Sequence, residues 1–231
     1  MHAIAPIGLI HSPYKEKFAV PRQPRLVPSA TARIALTGEA NCLEAVRGLD
    51  AFSHLWLLFL FDQNLEAGWK PTVRPPRLGG NQRVGVLASR STFRPNGIGM
   101  SAVEMRGICQ DKDQIYIDVG SVDLVDGTPI VDIKPYIPYS DAIPDAIGGY
   151  AGSEPETLDV CFSASCLAEL NRRRDAAHVK AVICEVLAQD PRPAYKKQSQ
   201  DDKIYSVKLF DLDVKFHVSA KQVEVIAVEY F

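Results

Sequence analysis

Between Ser89 and Met100 the chain reads SRSTFRPNGIGM, which gathers two arginines, three hydroxyl side chains and an asparagine. A guanidinium is a planar fork of donors matched to carboxylate or phosphate. Pro95 fixes its own φ and restrains Arg94, while Gly97 and Gly99 admit backbone angles or close approaches that other residues resist. Such a loop can aim Arg90, Arg94 and backbone N–H groups at an anionic or planar ligand. The same residues also read as an ordinary Pro-Asn-Gly turn. The aspartates of DLVDGTPIVD (Asp123, Asp126, Asp132) are a second polar group, and oxygen ligands suit magnesium or calcium. Their spacing is not that of a calcium loop, and turn and strand-end roles account for them, so no metal is assigned. No G-x-G-x-x-G, G-x-x-x-x-G-K-[ST] or G-x-S-x-G occurs, which leaves the common nucleotide folds and hydrolase elbows without support.

These groups need elements to hold them. The alternating run Arg83 to Ala88 reads as a strand leading into the arginine loop, and the chain leaves the loop through an apolar segment, an arrangement in which rigid strands carry a binding loop. Ala51 to Gln63, AFSHLWLLFLFDQ, reads as a strand buried on both faces that delivers Asp62 and Gln63 to a rim. His54, just before its apolar run, reads as a hydrogen-bonded core residue. Tyr14 to Pro28 holds Pro21, Pro24 and Pro28 and is expected to be an extended arm. Ile4–Ile10, Ala32–Leu36, Gln114–Val119 continuing through Gly120–Asp126, and Thr128–Ile133 read as strands; Glu39–Arg47 reads as a short helix ended by Gly48. Gly68–Gln82 is a long proline- and glycine-rich loop of the length that usually carries function.

Past a Pro/Gly-rich linker, Pro144–Pro155, the period changes. Ser165–Arg174 and Asp175–Gln189 read as helices, the second with Ala176, Val179, Val182, Ile183, Val186 and Leu187 on one stripe. Asp190–Tyr195 is a rigid basic-aromatic turn. Ile204–Phe210 and Val214–Val218 form a hairpin, and Val223–Phe231 is a last strand. The expected fold is mainly β: an N-terminal domain over 1–148 and a smaller α+β domain over 149–231.

With 231 residues, 46% hydrophobic and 23% charged, the composition is that of an ordinary globular protein. The greasiest run, Trp56–Phe61, stops at Asp62, well short of the roughly 20 residues that a membrane helix needs. The N-terminus lacks a basic start and long apolar core, so no secretory signal is expected. Five cysteines without a C-x-x-C pair argue against a zinc knuckle, and Cys109 and Cys184, inside apolar segments, read as reduced core residues, with the cytoplasm as the natural compartment. Net charge is only −2, yet Gly68–Val103 holds six basic residues (Lys70, Arg74, Arg77, Arg83, Arg90, Arg94) and no acid. One segregated basic stretch can bind a polyanion locally.

Several stretches together resemble one family. SPYKEKFAVPRQP, FSHLWLLFLF, PPRLGGN, VGVLASRSTFRPNGIGMS and DLVDGTPIVDIKPY look, in this order, like the motifs of the TsaA-like (TrmO) family. EVLAQDPRPAY extends the likeness past the catalytic domain to nearly the whole chain. The ordered set is highly specific, although no single motif is. The resemblance implies S-adenosylmethionine-dependent methylation of N6 of threonylcarbamoyladenosine at position 37 of tRNA, beside the anticodon. It also implies a small β-barrel unlike the Rossmann methyltransferases and a homodimer that holds the cofactor between loops. It places the cofactor on Pro21, Arg22 and Gln23 of the arm, on Asp62 and Gln63, on Arg90 and Met100, and on Gly120, Ser121, Val122, Asp123 and Leu124.

Two residues depart from the family pattern. Gly97 replaces the second proline of R-P-N-P-I-G, and Asp62 stands where relatives often carry histidine. The acceptor nitrogen must shed a proton, and Asn96 and Asp126 are the candidates to orient or remove it; both also read as turn residues, before Gly97 and Gly127. Arg74, Arg77 and Arg94 are candidates for phosphates, and Arg192, Tyr195, Lys196 and Lys197 form a second patch with an aromatic for stacking. Arg172–Arg174 reads as a helix-end cluster. A non-catalytic RNA-binding barrel and an aspartate-based metal hydrolase are the competing readings.

Overall fold

A computed structural model describes residues 3–192, 203–219 and 222–231. Six strands of the N-terminal half pair into a closed barrel: β1 (Gly8–His11), β2 (Thr31–Leu36), β3 (His54–Leu60), β6 (Ile98–Asp111), β7 (Gln114–Gly120) and β8 (Pro129–Pro135). The order around the ring is β1-β2-β7-β6-β3-β8, and β8 returns antiparallel to β1 with Gly8 opposite Ile130. Closure leaves no exposed sheet edge. Alternation fills the interior: Ile10, Ile34, Leu55, Leu57, Val103, Ile117, Val119 and Ile130 are all buried.

That geometry corrects the reading of the 51–63 stretch as buried on both faces. In β3 the buried positions alternate with half-buried ones, because a barrel strand gives only one face to the core. The outer face is partly covered where Trp56 donates from Nε1 to Asp141 Oδ2 at 2.8 Å, on the one-turn helix α2 (Pro138–Asp141). His54 sits at the strand's start, with Nδ1 3.0 Å from Ser53 Oγ.

Other local expectations shift for related reasons. The run before the arginine loop forms only β5 (Val84–Gly85), which pairs with β4 (Thr72–Val73) inside the proline-rich loop, and a 3-10 turn over Val86–Ala88 follows. The 39–47 stretch gives a 3-10 turn at Gly38–Ala40 and further turns, with no α-helix. The β7 strand ends at Gly120, so residues 121–126 are a strap, not a strand.

The C-terminal half is a four-stranded sheet with two helices. The sheet order is β10 (Ile204–Leu209), β11 (Leu212–Ser219), β12 (Gln222–Tyr230) and β9 (Asp159–Phe162). Sequence reading missed β9, a short DVCF run that pairs parallel to β12. Helices α3 (Ala164–Leu170) and α4 (Ala176–Ala188) cross between them; Ser163 caps α3 by accepting from Cys166 N at 3.3 Å. On α4, Val179, Val182, Ile183, Val186 and Leu187 are buried, as the stripe requires. All five cysteines are free, and Cys166 is the buried one; Cys109 and Cys184 are only half-buried.

The two halves meet along the proline-rich arm. Tyr14 bridges to Leu209, and Phe210 N donates to Pro13 O at 2.7 Å. Glu185 of α4 accepts from both Ser29 N (2.8 Å) and Ser29 Oγ (2.6 Å). The arm is therefore tied to the second domain at both ends. Among the described residues no helix is long and apolar enough to cross a membrane, and no group of His, Cys, Asp and Glu is set to hold a metal.

Candidate active site

The barrel opens at one rim, where three loops converge. After β3, Phe61 leads into a one-turn helix, α1 (Asp62–Leu65), and Phe61 N donates to Gly97 O at 2.7 Å, which ties the arginine loop to the strand end. Asn96 (φ 63°) and Gly97 (φ 60°) both take the left-handed conformation, and a proline at 97 could not. Gly99 faces Phe59 across the β3–β6 ladder; a Cβ there would lie 2.3 Å from the Phe59 ring and 2.8 Å from that of Phe61. Glycine lets the two rings reach the rim. From β7 the strap turns at Ser121 (φ 53°), whose N donates to Ala30 O at 2.7 Å while its O accepts from Arg25 N at 3.0 Å. Strap and arm are thus laced together.

These loops enclose a cavity of about 670 Å³. Its walls mix aromatic and aliphatic groups (Phe59, Phe61, Phe93, Ile98, Leu124) with polar ones, the usual make-up of a small-molecule site. Of the residues singled out from sequence, Pro21, Arg22, Gln23, Asp62, Gln63, Arg90, Arg94, Met100, Asp123 and Leu124 line it. Arg90 Nη1 donates to Gln23 Oε1, so loop and arm close over the mouth.

Asp123 is the unusual group. Ser101, 2% exposed, donates from Oγ to Asp123 Oδ1 at 2.6 Å. Burial pushes the Asp123 carboxyl up to about 6 from an ordinary 3.8, against the opposing pull of the Ser101 hydroxyl, its own backbone N–H and the nearby Arg90. Ser101 was not anticipated. Its signal is a hydroxyl within the row of buried β6 positions, Gly99, Ser101 and Val103.

Other expected site residues stand elsewhere. Gly120 ends β7 beside Arg106 and Glu104, and Ser121 and Val122 are buried behind the cavity, so these three support its wall without lining it. Asn96 is exposed, outside the cavity lining, and serves the turn. Asp126 accepts from Ser12 N at 2.9 Å and from Lys15 Nζ at 2.7 Å, which pins the arm's start; it does not line the cavity either. Both proposed proton handlers are turn residues here.

A second cavity of about 1270 Å³ adjoins the first. Among the described residues, Arg22, Lys70, Arg74, Arg77, Arg83 and Arg90 line it and no acidic side chain does. Arg22, Gln23, Ser89, Arg90, Thr92 and Phe93 border both cavities. Arg77 donates to Ser153 O and Tyr150 OH to Ala88 O, so the linker forms part of this trough. Arg192 does not join any such surface. It is 4% exposed and paired with Asp190 (Nε–Oδ1 2.9 Å, Nη2–Oδ2 3.1 Å), because a guanidinium buried at a helix end needs a carboxylate partner. Tyr195, Lys196 and Lys197 lie outside the described residues.

The family model of the tRNA-methyltransferase O N-terminal domain matches residues 9–142, and that of the TrmO C-terminal domain matches residues 155–230. The chain belongs to the tRNA-methyltransferase O family. It is 54% identical over 225 residues, 96% of each chain, to an Escherichia coli K12 protein named tRNA (adenine(37)-N6)-methyltransferase. It is 45% identical over 218 residues to a Pseudomonas aeruginosa protein named putative S-adenosylmethionine-dependent methyltransferase RcsF, covering 94% of this chain and 92% of that one. The solved structure of TrmO from Pseudomonas aeruginosa superposes with a TM-score of 0.82 at 37% identity, over 99% of this chain and 98% of that one. The family's two-domain, mainly β architecture is therefore present throughout.

Proposed function

We propose that this chain methylates N6 of adenine 37 in tRNA with S-adenosylmethionine as donor, and that the adenine carries a threonylcarbamoyl group. The observation that carries the reading is the union of two cavities of opposite character: an aromatic chamber with a sheltered carboxylate, and a trough lined by basic side chains, joined at Arg22, Gln23 and Arg90. Membership of the family and the names of its relatives support the reaction class.

The chamber fits the cofactor by size and by donor set. Arg22 and Arg90 suit a carboxylate, Gln23 and Gln63 suit amino or hydroxyl groups, and Met100 with Phe59 and Phe93 suits the faces of a purine. When bound, the cofactor supplies an already activated methyl group. The chain's own task is then alignment and exclusion of water. The Gln23–Arg90 contact brings arm and loop across the mouth, and the lacing of Arg25 and Ala30 to Ser121 holds the arm at its distance. The trough supplies the backbone sites: Arg74 and Arg77 lie in it beside Lys70, whose ammonium sits 5.0 Å from the Phe93 ring centroid, while Arg94 lies on the chamber wall. This reading includes a homodimer, supported by the exposed apolar side chains Tyr139, Ile143 and Ile147 beside the trough's linker.

Transfer of label from S-adenosylmethionine to tRNA tests the function, comparing RNA from cells with and without threonylcarbamoyl modification. Label in modified tRNA alone is the expected result. Label in neither, together with no calorimetric binding of the cofactor, leaves a non-catalytic RNA-binding protein instead.

A further inference from the structure

We propose that Asp123 takes the N6 proton of the acceptor base during methyl transfer, and that Ser101 is a positioning residue that holds its carboxylate against the chamber. The inference rests on the methyl-transfer reading and assigns a residue role within it. As the N6 lone pair bonds to the methyl carbon, the carbon–sulfur bond breaks with its electron pair on sulfur. Nitrogen keeps the N–H electron pair, and the proton passes to an Asp123 oxygen. An adenine N6 conjugated to a carbonyl is a weak nucleophile, so loss of this proton in step with attack has most to gain from a fixed acceptor.

The geometry leaves few candidates. Among the described residues, two acidic side chains line the chamber, Asp62 and Asp123, and no histidine does. Asp62 opens α1 on the exposed rim, where water competes for any proton. Asp126 is held by Lys15 away from the chamber. Asp123 is sheltered, its Oδ1 is fixed by the Ser101 hydroxyl at 2.6 Å, and Arg90 lies close enough to favour its ionised form. A carboxyl near 6 is ionised at neutral pH yet more basic than an ordinary aspartate. Of the charged and titratable groups around it, Arg90 acts on its carboxylate and Tyr14 feels its charge, the phenol being pushed up by burial, by Asp123 and by Glu185; Lys17, Arg22, Asp62 and Arg94 share the chamber's lining.

The experiment combines cofactor calorimetry with single-turnover methyl transfer to modified tRNA between pH 5 and 9. At saturating S-adenosylmethionine, Asp123→Asn, whose amide oxygen can still accept a hydrogen bond from the cofactor, should slow transfer by about 10²–10⁴. The parent's rate should fall below an acid limb near 6, and Ser101→Ala, which removes a hydrogen bond to the ionised form, should move that limb to higher pH. Asp62→Asn should leave the limb in place. Transfer by Asp123→Asn within tenfold of the parent, loss of cofactor binding with it, or a limb that follows Asp62 overturns the assignment. If Asp123→Asn does not fold, the direction of the Ser101→Ala shift decides. A parent that transfers no methyl group sinks the methyl-transfer reading itself, whereas an active parent with an equally active Asp123→Asn sinks only the role of Asp123.

Discussion

The two adjoining cavities are built from the same loops but by opposite rules. The chamber is walled by strand ends, so its side chains are set by the barrel's register: Phe59, Gly99 and Ser101 hold their places because β3 and β6 pair residue for residue. The trough is walled by turns, a two-residue ladder and prolines, so its character comes from composition, six cations and, among the described residues, no acid, more than from register. One rule suits a ligand that must be held within a fraction of an ångström. The other suits a flexible polyanion, for which summed charge matters more than any single contact.

Altering register-set packing alone should separate the two cavities most strongly. Gly99→Val places a branched side chain where even a Cβ would lie 2.3 Å from the Phe59 ring, so Phe59 and Phe61 must leave the rim. Overpacking of this kind costs about 1–3 kcal/mol or more, and the chamber should lose cofactor binding by over about 100-fold. Calorimetry with S-adenosylhomocysteine and with tRNA separates the two sites; tRNA binding should survive. Loss of both together would show that the trough depends on the same register.

The half-buried Asp123 carboxylate gives a second, smaller effect with a definite sign. Asp123 holds its proton more tightly folded than unfolded, from 3.8 to about 6, so its charge destabilises the fold. That cost is absent below about pH 3.8, grows through the window to about 6, and is complete above it. Asp123→Asn should therefore raise stability at pH 8 by up to about 3 kcal/mol, less any weakening of the Ser101 contact, and change it far less at pH 4. Urea unfolding at the two pH values measures it. Equal changes at both would mean that the carboxylate is better solvated than the chamber's geometry implies.

In the trough, charge should act additively. Replacing both Arg74 and Arg77 by glutamine should weaken tRNA binding by about 10- to 100-fold at low salt and lower the slope of log K against log salt by about 2, with cofactor affinity unchanged. A slope that stays put would remove these two arginines from the phosphate contacts.

The same two rules decide how much of each cavity is legible in the sequence. Composition is visible without a structure, so the acid-free basic stretch 68–103 led directly to the trough, and the motifs named most of the chamber's lining. Register is not visible. Asn96 and Asp126 carry suitable chemistry and lie in the right motifs, yet backbone direction sends the first to solvent and Lys15 claims the second. Ser101 carries no signal in the sequence on its own; only the barrel's register sets it on an inward row. Arg192 read as an exposed cation because nothing in DPRPAY tells that Asp190, two residues earlier, folds back to pair with it in the interior. The short strand β9 escaped because its four residues acquire their meaning only from β12, some sixty positions on.

The smallest expected effect lies where the two rules meet. Phe93 borders both cavities, and the Lys70 ammonium sits over its ring at 5.0 Å from the trough side. Lys70→Met keeps a long apolar stem but removes the cation, and an exposed cation–π contact contributes about 0.5–1 kcal/mol. If the cavities are coupled through Phe93, the ring should loosen and cofactor affinity should fall about twofold to fivefold, alongside a comparable loss in tRNA binding. If they are independent, only tRNA binding should change, and the salt slope should fall by about 1. Titrating cofactor in the absence of RNA separates the cases, because no phosphate contact can then contribute.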